Sequence, residues 1–255
     1  MNTRSPASAP TSRSGGTRRP ARPARFAAVV VEELAHEIIS GGVAGNEILP
    51  TEPVLCEQFG FSRTVVREAL KMLEERGLVV IEQGRGTTVL PRDSWNLLDP
   101  VVLRIALEYD SDMSLLDDLI DVRGVLEREM TRVAAARLSD DDLAALAANV
   151  EQMAAAYADY DRVRAFDLEF HAIILKASGN QVGPTIVRAI HRHGGATPPL
   201  AAAADTVALE RTTAQHRKIL AALTRRDGER AGQLIAEHIE TGWAERKHLP
   251  RSTLS

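Results

Sequence analysis

Asp167 and His171 stand one helical turn apart in an otherwise apolar stretch, FDLEFHAIILKASGN, which runs from 166 to 180. Residues at this spacing share a helix face, so a carboxylate and an imidazole point the same way from one greasy segment. Two more histidines are placed alike: His216 lies on the line Leu209, Thr213, His216, Leu220, Leu223, and His238 on the line Ala231, Leu234, His238. Three separate helical segments thus each direct an imidazole or a carboxylate toward an apolar interior. One carboxylate and three imidazoles make a borderline-soft donor set suited to Zn²⁺, Ni²⁺ or a similar divalent cation, with room for outside ligands at higher coordination number. The spacing alone also fits a plainer arrangement, a hydrogen-bonded core pair in which Asp167 orients the His171 ring.

A second charged pair sits among apolar neighbours. Leu116, Ile120, Arg123, Glu127, Met130 and Ala134 trace one line along a helix, which puts Arg123 and Glu127 on an inward face. A buried arginine is costly unless paired, so Arg123 meets either Glu127, in a bridge that only ties helices together, or an anion.

A third set is built for nucleic acid. Arg63, Arg67 and Lys71 form a basic stripe, while Val66, Leu70 and Leu73 lie on another face of the same helix. That division is what a recognition helix needs: an apolar back that fixes its orientation, and an arginine-bearing front that reaches base edges and phosphates in the major groove. Arg85 stands between Gly84 and Gly86, where a bare backbone can approach a phosphate. Residues 62–92 carry six basic and four acidic side chains, although residues 26–92 are net negative. Local placement, not bulk charge, points to DNA.

The elements that must position these groups follow from periodicity and punctuation. A helix from Phe26 to Ser40 is stopped by Gly41 and Gly42; a second begins after Thr51 as N-cap and ends at Phe59; a third starts at Ser62 and stops at Gly77. LVVIEQGRGTTVL, 78–90, then has two β-branched runs around a glycine-rich tip and predicts a hairpin. Three helices and a hairpin make a winged helix-turn-helix over 25–91. A linker is expected over 92–100. Residues 101–247 read as an all-α bundle of six or seven helices divided by loop signals, and 248–255 as a loose tail. The chain is therefore mostly α. Residues 1–25 hold six arginines and no acid, so a net charge of −4 leaves −10 for the remainder. Rich in Pro, Ser, Thr and Gly, residues 1–24 read as a disordered basic arm.

Composition excludes other classes. A single cysteine, Cys56, permits no internal disulfide and reads as a small buried hydrophobe. No apolar stretch approaches the roughly 18 residues of a membrane span, and the opening segment lacks a secretory core, so a cytoplasmic protein with no membrane partner is expected.

LPTEPVLCEQFGFSRTVVREALKMLEERGLV followed by GRGTTV resembles the DNA-binding domain of the GntR family of bacterial transcription regulators, nearly without gaps over 26–90. The resemblance implies DNA contacts from Ser62, Arg63, Thr64 and Arg67 in the recognition helix, and from Gln83, Gly84 and Arg85 in the wing. Pro53 stands where the family usually has a DNA-contacting arginine, so that contact is lost. Farther along, Arg-x-x-x-Glu, Asp-x-x-x-His near Ser-Gly-Asn, a second histidine in HRKILAAL and a third in the last helix resemble the FCD effector domain of the FadR subfamily over about 116–245. That resemblance implies a metal held by Asp167, His171, His216 and His238, zinc first, with nickel or manganese as alternatives. It also implies that Arg123 clamps an effector carboxylate, with Asn180 nearby. His191 and His193 read as a polar helix end in preference to residues that line the pocket. The function expected is a dimeric regulator, a repressor by the family's commoner habit, that binds a palindromic double-stranded DNA operator as a homodimer and answers a small organic acid. The linker SWNLLDPVVL resembles those of sugar-acid regulators. Two other functions compete: a metalloenzyme using the Asp/His₃ set, which lacks an accompanying base or nucleophile, and a constitutive DNA-binding protein with a structural metal, which leaves Arg123 unexplained.

Overall fold

The computed structural model describes residues 22–194 and 206–247. Most of the basic arm, the tail after 247 and the stretch containing GATPP lie outside the described residues. Residues 22–24, assigned above to the arm, form the first turn of α1 (Arg22–Ile39). Pro23 is tolerated there because the first helical turn does not need its missing N–H, and the helix is held by buried Ala27, Val30, Val31 and Leu34.

α2 (Glu52–Phe59) and α3 (Arg63–Glu75) follow, begun at Thr51 and Ser62 as expected, with α2 closed by Gly60 in the left-handed conformation. β1 (Val79–Glu82) and β2 (Gly86–Val89) pair antiparallel with Glu82 opposite Gly86, so Gln83, Gly84 and Arg85 form the tip of the wing. Leu55, Val66, Leu70, Leu73, Leu78 and Val89 share one core with α1. At about 25 cal/mol per Å², each such buried aliphatic side chain contributes on the order of 1.5–3 kcal/mol.

The segment after the wing is not a free tether. It makes a 3₁₀ turn at Arg92–Ser94 and folds back on the winged domain: Trp95 Nε1 donates to Leu90 O at 3.2 Å, and Arg76 pairs with Asp99. Gly77 makes this possible. Its φ is +70°, and a Cβ there would sit 2.4 Å from Ser94 O.

Asp99 caps α4 (Pro100–Glu108), accepting from the Val101 and Val102 N–H groups. This short helix belongs to two cores at once. Val102 and Ile105 pack with the winged domain, whereas Leu103 and Ala106 pack with Leu115, Leu116, Leu119 and Ile190 of the bundle. α5 (Ser114–Ala134), α6 (Asp140–Ala154), α7 (Tyr160–Ala177), α8 (Gly183–Gly194), α9 (Thr206–Thr224) and α10 (Gly228–Lys247) complete the bundle. With α4, that makes seven helices after the wing among the described residues. Its main core gathers Ile120, Leu146, Phe170, Ile174, Ile219 and Ile235 from α5, α6, α7, α9 and α10. α6 starts with a capping box in which Ser139 and Asp142 exchange hydrogen bonds.

Candidate functional site

All six residues of the inward line on α5, Leu116 through Ala134, are buried. On α7 the buried stripe is Val163, Phe170 and Ile174 with His171, and on α9 it is Leu209, Thr213, His216 and Leu223. The polar groups are therefore carried inward by helix faces that the hydrophobic core fixes. The Phe170 ring, fully buried, stacks on the His216 imidazole with centroids 4.2 Å apart and planes 6° apart, which sets that ring's orientation.

The four donors meet. His171 Nε2 and His216 Nε2 each lie 3.3 Å from His238 Nε2. Asp167 Oδ1 lies 3.3 Å from His216 Nε2, 3.8 Å from His238 Nε2 and 3.9 Å from His171 Nε2. The three imidazoles are buried, while the Asp167 side chain is 29% exposed. Nitrogens about 2.0–2.1 Å from a shared zinc would stand roughly 3.3–3.4 Å apart in a tetrahedron, so the spacing fits a small divalent ion. Neutral imidazoles brought together through Nε2 cannot all donate and accept from one another, whereas a cation satisfies every lone pair at once. The donors fit a metal.

Behind them stand groups that hold the rings. His171 Nδ1 bonds Glu127 Oε2 at 2.5 Å, and Glu127 Oε1 accepts from Arg123 Nε at 2.6 Å. His238 Nδ1 lies 3.0 Å from Gln215 Oε1. His216 Nδ1 is buried without a hydrogen-bond partner. A carboxylate or amide oxygen on Nδ1 fixes the tautomer that leaves Nε2 free to ligate. Sequence spacing missed this role for Glu127 and gave no role to Gln215; the i+4 position of Glu127 marked only its link to Arg123.

Charge inside the cluster is skewed. Burial pushes the Asp167 carboxyl up, yet a hydrogen bond from His216 and the neighbouring imidazoles outweigh it and hold the group well below its ordinary range. Glu127 is likewise held low against burial by His171 and Arg123. Burial lowers His238 and His216, and lowers His191 to about 3 with help from Arg123. His216 and His238 are thus biased toward the neutral form that a metal requires.

Arg123 donates through Nε to Glu127 Oε1, and it is not among the residues that line the cleft described next. One placement differs from expectation. His191 is no polar helix end: its side chain is 15% exposed, its Nε2 has no hydrogen-bond partner, and it lies 3.8 Å from Glu127 Oε1. α8 packs onto α5 and carries the ring inward. The His193 side chain lies outside the described residues. Asn180 caps α8, its Oδ1 accepting from the Val182 and Gly183 N–H groups.

Between α7 and α8 runs a cleft of about 990 Å³, bounded by His171, Asn180 and His191. One wall is thus a member of the donor cluster.

On the winged domain Ser62, Arg63, Thr64, Arg67, Gln83, Gly84 and Arg85 are all exposed, while Val65, Val66, Leu70 and Leu73 seat the helix. Arg67 is braced by Glu52, whose two carboxylate oxygens accept from its Nε at 2.9 and 2.8 Å, and Arg85 pairs with Glu82 at 2.9 Å.

Residues 26–89 match the bacterial regulatory proteins of the gntR family, and residues 118–241 match the FCD domain. The galactonate operon transcriptional repressor of Escherichia coli is 30% identical over 204 residues, 80% of this chain and 89% of that one. The chain belongs to the GntR family of bacterial transcription regulators. This GntR protein is also 28% identical to the transcriptional repressor NanR of Cronobacter sakazakii, over 89% of this chain and 87% of that one. It is 33% identical to the Glc operon transcriptional activator of Escherichia coli, over 60% and 61%. Lar, which controls expression of the Listeria monocytogenes agr system, shares the fold at 19% identity and a TM-score of 0.51, covering 87% of this chain and 94% of that one. As a GntR protein with an FCD domain, the chain is a DNA-binding transcription regulator and not an enzyme. No helix among the described residues is long and apolar enough to cross a membrane.

Proposed function

We propose that this regulator is a metal-assisted, acid-responsive repressor of the FadR subfamily that binds a palindromic operator as a homodimer. The observation that carries the reading is the convergence of Asp167, His171, His216 and His238 beside a cleft, in a chain whose other domain presents an arginine-bearing recognition helix. Zinc is the first ion to test, with nickel and manganese as alternatives; once bound, it supplies an electrophilic centre for an oxygen of the effector. Arg123 spends one of its five N–H donors on Glu127, and the remaining donors suit a carboxylate clamp. Asn180 contributes its amide at the cleft mouth. The galactonate repressor among the relatives, together with the linker SWNLLDPVVL, makes an aldonate the first effector to try.

DNA contacts are assigned to Ser62, Arg63, Thr64 and Arg67 in α3 and to Gln83, Gly84 and Arg85 at the wing tip. The dimer is assigned to the outer faces of α5 and α8. These helices pack on one another, and Val122 and Val125 on α5 and Val182, just before α8, stand exposed. A two-fold dimer matches a palindrome half-site for half-site.

Regulation follows as a population shift. An effector that binds one arrangement of α7 and α8 more tightly favours that arrangement. Ile190, beside His191, packs against α4, and α4 is shared with the winged-domain core. Movement of α8 is thereby felt at α1 and at the spacing of the two winged domains. The decisive experiment is metal analysis of the purified protein followed by operator titrations with sugar acids, lactate and dicarboxylates. Asp167→Ala with His216→Ala is expected to remove both the metal and the acid response while leaving operator binding. Full metal occupancy in that variant would sink the ligand set. Operator affinity indifferent to every acid would instead make the metal structural.

A further inference from the structure

The cleft between α7 and α8 is charged in a way that an aldonate does not use. Arg164 and Lys176 on α7 and Arg188 and Arg192 on α8 all line it. Several cations elsewhere in the bundle sit in ion pairs, among them Arg128 with Glu229, Arg132 with Glu129, Arg211 with Glu245 and Arg217 with Glu151. The four cleft cations make no ion pair among the described residues. Arg188 reaches only the Thr185 hydroxyl, and Lys176 acts on Asp142 only through space. The single carboxylate on the lining, Glu169, accepts from Asn149 Nδ2 at 3.0 Å. Arginines left without partners along one concave surface raise the local concentration of anions and are matched to bidentate carboxylate or phosphate binding.

Two other features point to a ligand. Leu168, Leu175 and Val187 give the cleft an apolar floor on which a carbon chain can lie. At the inner wall, next to His171, the His191 Nε2 is buried without a hydrogen-bond partner, an arrangement that costs free energy unless something bonds it. The cleft therefore has two polar surfaces: the buried His171–His191 wall and a line of cations that runs along α7 and α8 past it. Its volume of about 990 Å³ lies at the top of the range, roughly 300–1,000 Å³, that small-molecule sites occupy.

We infer that the effector is an acid with two anionic groups, a dianion or higher, with one carboxylate at the His171–His191 wall and a second group, a carboxylate or a phosphate monoester, held by Arg188 and Arg192, one turn apart on α8, within the line of cleft cations. The inference rests on the reading that an organic acid is the effector, and it narrows the class of that acid. A six-carbon monoacid satisfies the wall and leaves the two α8 arginines without an anion; its dicarboxylate and its phosphate ester satisfy both.

Titration calorimetry on the metal-loaded full chain tests this with three probes: galactonate, galactarate and 6-phosphogluconate. At least one of the two dianions is expected to bind about tenfold tighter than galactonate, as one or two additional charge-assisted contacts imply. That advantage should shrink as salt is raised. Arg188→Ala with Arg192→Ala should bring the dianion down to the affinity of galactonate, while galactonate affinity and metal content stay unchanged. Preference for galactarate alone identifies a dicarboxylate, and preference for 6-phosphogluconate alone identifies a phosphate ester; either supports the inference. Galactonate binding as tightly as both dianions, or a dianion preference that survives the double substitution, overturns it while leaving the acid-responsive regulator intact. Absence of binding by all three probes overturns both readings together.

Discussion

Glu127 is the residue that ties the donor cluster to Arg123, and Glu127→Gln is the most informative single change. Its carboxylate is 1% exposed and bridges Arg123 Nε at 2.6 Å and His171 Nδ1 at 2.5 Å. The amide keeps the volume and removes the charge. Its carbonyl oxygen can accept from Arg123 or from His171, and its NH₂ then faces the other donor. His171 consequently loses the anchor that keeps Nε2 as the ligating atom. Loss of such an outer partner typically costs 10–100-fold in metal affinity, or about 1.4–2.8 kcal/mol. Removing one member of a buried ion pair also leaves Arg123 uncompensated, at a stability cost of about 3–5 kcal/mol. Competition against a fluorescent zinc chelator reads the first effect and urea unfolding of the apo protein reads the second. A companion variant, Arg123→Leu with Glu127→Leu, separates them: apolar replacement of both partners should restore stability toward the parent value but not metal affinity. Folded Glu127→Gln protein with unchanged metal affinity would refute the role assigned to the bridge.

Arg67→Ala, at a side chain 66% exposed, is expected to abolish specific operator binding with the melting temperature unchanged; full footprint protection would displace α3 as the recognition helix. Ile105→Ala, at a fully buried site shared by α4 and the winged core, should destabilise by about 2–5 kcal/mol and weaken the acid response, and a variant with normal urea midpoint and normal response would argue against α4 as the coupling element. For the apo protein, every shift resolved in the cluster is downward, so the folded state binds fewer protons than the unfolded chain. That stability is present above the ordinary histidine value of 6.5 and is lost as pH falls, through the imidazoles first and then through Asp167 and Glu127 below 4.5. The urea midpoint should fall between pH 7 and pH 5, and a midpoint that rises over that interval would contradict the neutral, buried state of these rings.

Much of the architecture was legible because local rules dictate it. Glycines and N-caps mark α2 and α3, the β-branched runs around Gln83–Arg85 mark the wing, and the line from Leu116 to Ala134 marks the buried face of α5. What failed to register has a common cause. The linker after Pro91 carries few long-range signals, so nothing in its composition reveals that Trp95 packs under the winged domain or that α4 joins two cores. His191 sits at a helix end among polar neighbours, and only the packing of α8 on α5 turns it inward.

The amino-acid sequence by itself determined which side chains point inward from each helix, since a period of 3.6 residues assigns faces without any knowledge of neighbours. It thereby supplied Asp167, His171, His216 and His238 as candidate metal ligands and α3 as the candidate recognition helix. Only the tertiary structure decided that four donors from three helices meet within 4.8 Å of one another, that Glu127 links Arg123 to His171, and that unpaired cations from α7 and α8 share one cleft. Those are relations between segments far apart in the chain. They are fixed by how the apolar faces of α5, α7, α9 and α10 pack together, and no local periodicity encodes that.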